Sequence, residues 1–258
     1  MERDDSRIVA DIVAVSRASD RDFGELQSFL ASYSLLGTYS NADARAELRV
    51  AHRRYLAFLQ LWSICSSAIG TGPMPFFSLS TSARDAGFAH FRESISDVGS
   101  GLFCALHGAY KPAHMSTRSS IENFVRFSAG TFEPRALTTT SVYELFEIAK
   151  HTEPYSGGQA TQLQSLKQSY AELCLYTHTA SLEHMAGIHA LAHFPSFEVS
   201  EFRKWIELTT TCMRAIVVTV LSSNPPHYLT AHFDAQELMD ALLTTDFRVK
   251  LLAGEVLH

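Results

Sequence analysis

The chain has 258 residues, of which 46% are hydrophobic and 19% are charged, and its formal net charge at pH 7 is -6. This length suffices for a hydrophobic core that needs neither a disulfide nor a metal. The acidic balance and the lack of a long basic stripe argue against a dedicated nucleic-acid binder, whose affinity would come from neutralising phosphates.

The N-terminus and the cysteines both point to a reducing compartment. The first residues are charged and their apolar run is interrupted by Asp11, so no signal peptide is predicted. The four cysteines are far apart in the sequence, which is typical of buried, reduced thiols and predicts a cytoplasmic protein. The uncharged segment 55–83 turns polar and rich in Gly and Pro after Ile69, so it is too short to cross a bilayer.

The first 110 residues contain four helical patterns. Apolar spacing predicts short helices within residues 1–20 and 23–36, and a long helix over 41–69 that Asn41 or Asp43 caps. A loop over 71–81 leads to a helix over 82–110 that softens at Gly99 and Gly101. Four arginines on the 41–69 helix predict either a solvated face or a contact with an anion or RNA. These are Arg45, Arg49, Arg53 and Arg54.

The remaining sequence predicts five more helices. Pro112 is a favourable first residue for one of them, and Ser141 with Glu144 fits a capping box at the start of the next. A flexible break is expected over 153–160, and residues 184–196 are ambiguous. The predicted helices cover residues 112–130, 141–150, 161–179, 200–222 and 234–252, the last as one helix or two.

Strand patterns are almost absent, so the predicted fold is an all-α bundle of about seven to nine helices. Residues 1–80 would supply N-terminal helices that pack on a bundle core of residues 81–258, in one continuous domain. Nothing in the sequence has the period of a solenoid repeat.

A polar cluster is predicted between two of these helices. Arg118 and Glu122 lie four residues apart, on a face that Met115 and Val125 extend and that should point to the core. Tyr170 and His178 share a face of the 161–179 helix with apolar residues. Because buried ionisable groups need partners, we expect these four polar side chains to meet. The cluster would either fix the helix register or form a site.

The Arg-x-x-x-Glu helix, followed by a Tyr-x-x-Leu-x-x-x-x-His helix, resembles the HEPN-like helical bundles. More narrowly, it is similar to poorly characterised bacterial members found near phage-defence and mobile-element genes. The resemblance covers about residues 85–180. The matching residues are Arg118, Glu122, Tyr170, Leu173 and His178.

That resemblance implies a four- or five-helix bundle, frequent dimerisation and, in active members, metal-independent RNA cleavage. Active members carry an Arg and a following His with four to six residues between them, the His moving protons and the Arg stabilising phosphate charge. The positions before His178 where that Arg should stand are Ala171, Glu172 and Leu173. Two other segments match the spacing, Arg45 to His52 and Arg84 to His90, and the second supplies the candidate catalytic pair Arg84 and His90.

No metal and no cofactor are predicted. Cys174, His178, His184, His189 and His193 are ligand types that zinc accepts, but they straddle an ambiguous segment with no common face, and the HExxH motif is absent. Phosphate-binding loops, dinucleotide fingerprints and nucleophile elbows are also absent.

These observations predict a subunit or interaction module of a bacterial defence or stress system. It would act through protein–protein contacts, as a homodimer or with another protein, without a membrane. The alternatives are a metal-independent RNase, which makes RNA a possible partner, and a small-ligand sensor with a pocket over the polar cluster.

Overall fold

A computed structural model describes residues 41–67, 81–178 and 196–254. These ranges form nine α-helices and no strand, which confirms the all-α prediction. The helices are α1 (Ala42–Ser67), α2 (Thr81–Leu106), α3 (Tyr110–Gly130), α4 (Val142–Ala149), α5 (Ala160–His178), α6 (Val199–Ser223), α7 (Pro226–Leu229), α8 (Phe233–Met239) and α9 (Thr245–Leu252).

Helix α3 is the centre of the bundle, because it packs against α2, α4, α5 and α6. Aromatic rings join it to α2, where Phe91 stacks on Phe127 with 4.6 Å between ring centroids. The two helices run antiparallel and are joined at Gly108, whose φ of +74° is costly for any residue with a Cβ. Burial of a large apolar side chain such as Phe91 or Phe127 stabilises the fold by about 1.5–3 kcal/mol.

Helix α1 contributes to the same core as the later helices. Phe58, Leu61 and Cys65 are buried in the large apolar cluster that also contains residues of α2 to α9. A second cluster forms around Trp205 of α6, whose indole N–H donates to Thr117 Oγ1 at 3.2 Å. The described part of the N-terminal region is therefore an integral layer of the bundle.

Two predicted helix caps are present. Asn41 Oδ1 accepts hydrogen bonds from the amides of Asp43 and Ala44 at 2.9 and 3.1 Å. Ser141 Oγ accepts from the amide of Glu144 at 3.2 Å. In a full capping box the Glu144 carboxylate would accept from the Ser141 amide. Here it accepts from the side chains of Arg135 and Thr139 instead.

Several predicted boundaries differ from the structure. Helix α2 ends at Leu106 and α3 begins at Tyr110, because the left-handed Gly108 turns the chain between them. The segment after Thr152, predicted as a flexible break, forms two 3-10 turns, Glu153–Tyr155 and Gly157–Gln159. Tyr155 anchors the first turn in the core, where its hydroxyl pairs with Ser128 Oγ at 2.6 Å.

The C-terminal pattern resolves into two helices. His232 caps α8, since its Nδ1 accepts from the Asp234 amide at 3.3 Å. Thr244 Oγ1 then caps α9 by accepting from the Phe247 amide at 3.3 Å.

Helix α6 is the one described helix long and apolar enough to cross a membrane by length and composition. Its most apolar window has a mean hydropathy of 1.3 and is 72% buried against the rest of the bundle. A core helix has the same properties, because it must be apolar on nearly all sides.

Several predictions lie outside the described residues. These are the helices within 1–20 and 23–36, most of the 71–81 loop and most of the 184–196 segment, including His184, His189 and His193. The four cysteines are free thiols. Cys65 and Cys212 are buried as predicted, and burial raises the pKa of each thiol to about 12. Cys104 and Cys174 are only half-buried.

Candidate functional site

Helix α3 leaves one stripe of its surface partly open between α2 and α5. The side chains of Arg118 and Glu122 are 26% and 22% exposed to solvent. The predicted core-facing stripe through Met115 and Val125 is wrong in part, because Met115 is 45% exposed and Val125 is fully buried. The physical reason is that ten residues rotate a helix by about 1000°, so the two side chains point about 80° apart and only Val125 faces the core.

Arg118, Glu122 and Tyr170 meet at this stripe. The Tyr170 hydroxyl donates to Glu122 Oε1 at 2.9 Å, and Arg118 Nε lies 3.7 Å from the same oxygen. The Arg118 guanidinium also sits 5.6 Å from the centroid of the Tyr170 ring, a cation–π geometry. Burial, followed by the hydrogen bond to Glu122 and its charge, raises the pKa of Tyr170, so the phenol stays a donor at neutral pH.

The fourth predicted member, His178, lies at the far end of α5. It follows Tyr170 by eight residues, a rise of about 12 Å along a helix. The antiparallel register brings Tyr176 onto His114 near the start of α3, with 3.9 Å between the ring centroids. His178 is exposed beyond that stack, about two turns from Tyr170.

A second set of polar side chains crosses from α2 to α3 beside this cluster. His90 Nδ1 lies 2.9 Å from Asn123 Oδ1, and Asn123 Nδ2 donates to Asp97 Oδ2 at 3.0 Å. An ionised Asp97 only accepts, so the Asn123 amide must turn its NH₂ toward Asp97 and its oxygen toward His90. His90 therefore carries its proton on Nδ1, which leaves the lone pair of the neutral ring on Nε2.

The sequence prediction missed Asp97 and Asn123. Asp97 follows His90 by seven residues, two helical turns, with Glu93 between them on a neighbouring part of the same face. That spacing was a usable signal for a polar stripe on α2. It does not identify Asn123 as the partner, because that contact depends on the register of α2 against α3.

We call the two sets together the polar strip. It comprises His90, Glu93, Asp97, Arg118, Ser119, Glu122, Asn123 and Tyr170.

The polar strip has a negative balance, because three carboxylates accompany one guanidinium. Burial raises the pKa of Asp97, and the charges of Glu93 and Glu122 raise it further, against the opposing effect of hydrogen bonds from Ser119 and Asn123. A cation that approached these carboxylates would relieve their mutual repulsion. Arg126, next on α3, is directed away and donates to the carbonyls of Ala136 and Thr139 at 3.2 and 2.6 Å.

The predicted catalytic residues Arg84 and His90 lie on one continuous helix and are both half-buried. Six residues rotate a helix by about 600°, so the two side chains point about 120° apart. Only His90 belongs to the polar strip. The other segment with matching spacing, Arg45 to His52, lies on α1, and both of its end residues are exposed.

Within the described ranges, no three His, Cys, Asp or Glu side chains are grouped so that they could hold a metal ion. Comparison of the chain with protein-family models, with curated proteins and with solved structures finds no match. The HEPN-like relationship therefore stays a prediction from the residues that carry it.

Proposed function

We propose that the protein is an interaction subunit whose polar strip binds a basic segment of a partner protein. The resemblance to HEPN-like bundles suggests that it works as a homodimer or in a larger complex of a bacterial defence or stress system. A lysine- or arginine-rich segment is the kind of partner that the strip fits best.

One observation carries this proposal: Glu93 and Asp97 of α2 lie close enough to Glu122 of α3 that the charges of both glutamates raise the pKa of Asp97. Arg118 supplies the only opposing formal charge in the strip, and Glu122 already shares it. Partly desolvated carboxylates interact with an incoming cation more strongly than fully solvated ones do. The same balance repels the phosphates of RNA.

The proposal is tested by comparing two labelled peptides, nona-arginine and nona-glutamate, by fluorescence anisotropy. We expect the arginine peptide to bind and the glutamate peptide not to bind, with an affinity that falls as salt is raised. Equal binding of both peptides, or binding that salt does not change, would contradict a charge-selective surface. One chain has a mass of 28.6 kDa. Light scattering on the same sample therefore distinguishes a homodimer, which has twice that mass, from a subunit that is monomeric without its partner.

A metal-independent RNase is the second candidate function, and the orientation of His90 favours it. Asn123 holds the His90 proton on Nδ1, so the lone pair of the neutral ring lies on Nε2, on the side of the ring away from Asn123. A general base at a ribose hydroxyl requires a lone pair placed in this way. Because the Arg84 and His90 side chains point about 120° apart on α2, the RNA would have to bend around this helix to bring its phosphate to Arg84.

The RNase candidate is tested by incubating the protein with single-stranded RNA, with and without EDTA. Cleavage that survives EDTA and is lost in His90→Ala and Arg84→Ala would support it. No cleavage, or cleavage that EDTA abolishes, would reject it and leave the protein-binding proposal standing.

A further inference from the structure

Arg54 of α1 and Arg214 of α6 lie close together, on helices that do not contribute to the polar strip. Arg54 of α1 donates from Nη1 to Thr210 Oγ1 at 3.0 Å. Thr210 lies one turn before Arg214 on α6, so the two guanidinium groups are brought to neighbouring positions. Arg214 in turn donates from Nε to the carbonyl of Leu242 at 3.1 Å, which places the pair where α1, α6 and the segment after α8 meet.

Neither guanidinium has a carboxylate partner within the described ranges, although both side chains are half-buried. Glu47 is engaged by Arg203 at 2.7 Å, and Asp240, two residues before Leu242, is engaged by Arg248 at 2.9 Å. Glu207, one turn before Thr211 on α6, is exposed and lies outside ion-pair distance of Arg54. Burial and the charge of Arg214 lower the pKa of Arg54, whereas Glu207 and Glu47 oppose this effect.

Two like charges held side by side by bonds to neutral oxygens make an unbalanced site. Each guanidinium has five N–H donors in a planar fork, and the bonds above use one donor of each. The remaining donors can be shared by one acceptor group that carries several oxygens and a negative charge. Such a group would also remove the repulsion between the two arginines.

We propose that Arg54 and Arg214 bind a small oxyanion, a phosphate group carried by a small molecule. This site goes beyond the proposed protein-binding function, because it has the opposite charge and involves different helices. A phosphate fits better than a single carboxylate, since its oxygens can accept from both forks at once and its charge can match two guanidiniums.

The test uses inorganic phosphate as the probe and the full-length protein. The unfolding temperature is measured as phosphate replaces chloride at constant ionic strength, and direct binding is measured by ³¹P line broadening. We expect wild-type protein to unfold at a temperature that rises with phosphate, because a ligand that binds only the folded state stabilises it. Arg54→Gln and Arg214→Gln should each weaken phosphate binding by about tenfold or more.

Arg53→Gln is the matched control, because Arg53 is the exposed neighbour on the same helix and its replacement changes the net charge equally. It should leave phosphate binding unchanged. If Arg54→Gln fails to fold by circular dichroism, Arg54→Lys keeps the charge, loses the planar fork and should still weaken binding. The proposal is overturned if phosphate has no effect beyond that of chloride, or if Arg53→Gln weakens phosphate binding as much as Arg54→Gln.

Discussion

The Tyr170 hydroxyl donates a hydrogen bond to Glu122 Oε1 at 2.9 Å and so ties α5 to α3. The same oxygen faces Arg118 Nε at 3.7 Å, so one carboxylate serves a phenol and a guanidinium. This arrangement holds Glu122 at the open stripe of α3, where it is accessible and yet fixed in position. The contact therefore joins two helices of the bundle and fixes the position of one carboxylate of the polar strip.

Replacing Tyr170 with Phe should destabilise the fold by about 1 kcal/mol, because the Glu122 carboxylate loses a donor in a half-buried position. Urea denaturation measures the change. Tyr143→Phe is the matched control, since Tyr143 is 73% exposed and its hydroxyl should contribute almost nothing. Equal effects of the two substitutions would show that the bond to Glu122 contributes no specific stability.

Asp97→Asn should raise the stability of the protein at neutral pH. Because the pKa of Asp97 is raised in the folded state, the folded protein holds more protons than the unfolded chain once the pH exceeds the unfolded value of 3.8. Stability is therefore lost as the pH rises through that window, and the neutral amide avoids this loss. Thermal unfolding should show the advantage at pH 7 and its disappearance below pH 3.8.

Asp85→Asn is the control for this pH dependence, because Asp85 is an exposed carboxylate on the same helix. It should change stability by less than about 0.5 kcal/mol with no comparable trend. An Asp97→Asn protein that is less stable than wild type at pH 7 would mean that the charge of Asp97 is needed by its neighbours.

Asn123→Ala should change the tautomer of His90. In the wild type the Asn123 oxygen fixes the proton on Nδ1, and without that acceptor the ring should shift toward the Nε2–H form that free imidazole rings prefer. The ring ¹⁵N chemical shifts of His90 distinguish the two forms. The same Nε2–H form in both proteins would contradict the orientation deduced for Asn123.

Gly108→Ala should cost far more stability than Gly254→Ala. Both glycines have positive φ, of 74° and 70°, so either substitution costs about 1 kcal/mol for the backbone conformation. A Cβ at Gly108 would also collide with the backbone of Ser196, whereas a Cβ at Gly254 meets nothing within 4 Å. We expect a total of about 3 kcal/mol or more for Gly108→Ala, measured by denaturation.

Helix positions could be predicted from the sequence because they depend on local signals. Asn41 and Ser141 cap the helices they were predicted to cap, and the helix predicted over 200–222 is α6, Val199–Ser223. The 3-10 turns after Thr152 were missed because Gly157 and Gly158 suggested a flexible break. Their anchor, the burial of Tyr155 against Ser128, is a long-range contact.

The candidate site could be predicted only in part, for a related reason. Arg118 and Glu122 are neighbours on one helix, so their pairing follows from local geometry. The Tyr170 contact follows once α5 packs antiparallel on α3, and the same register carries His178 away from the pair. The bond between His90 and Asn123 joins residues 33 apart, and its geometry is set by the α2–α3 packing that the sequence pattern does not define.

The most direct test of the central claim is the affinity of nona-arginine for Glu122→Gln compared with Glu144→Gln. Glu144 is the matched control, because it is also paired with an arginine but lies outside the polar strip. Loss of one strip carboxylate should weaken peptide binding several-fold, on the order of 1 kcal/mol, and the control should bind like wild type. Equal affinities for the two variants would contradict recognition of a basic partner at the polar strip.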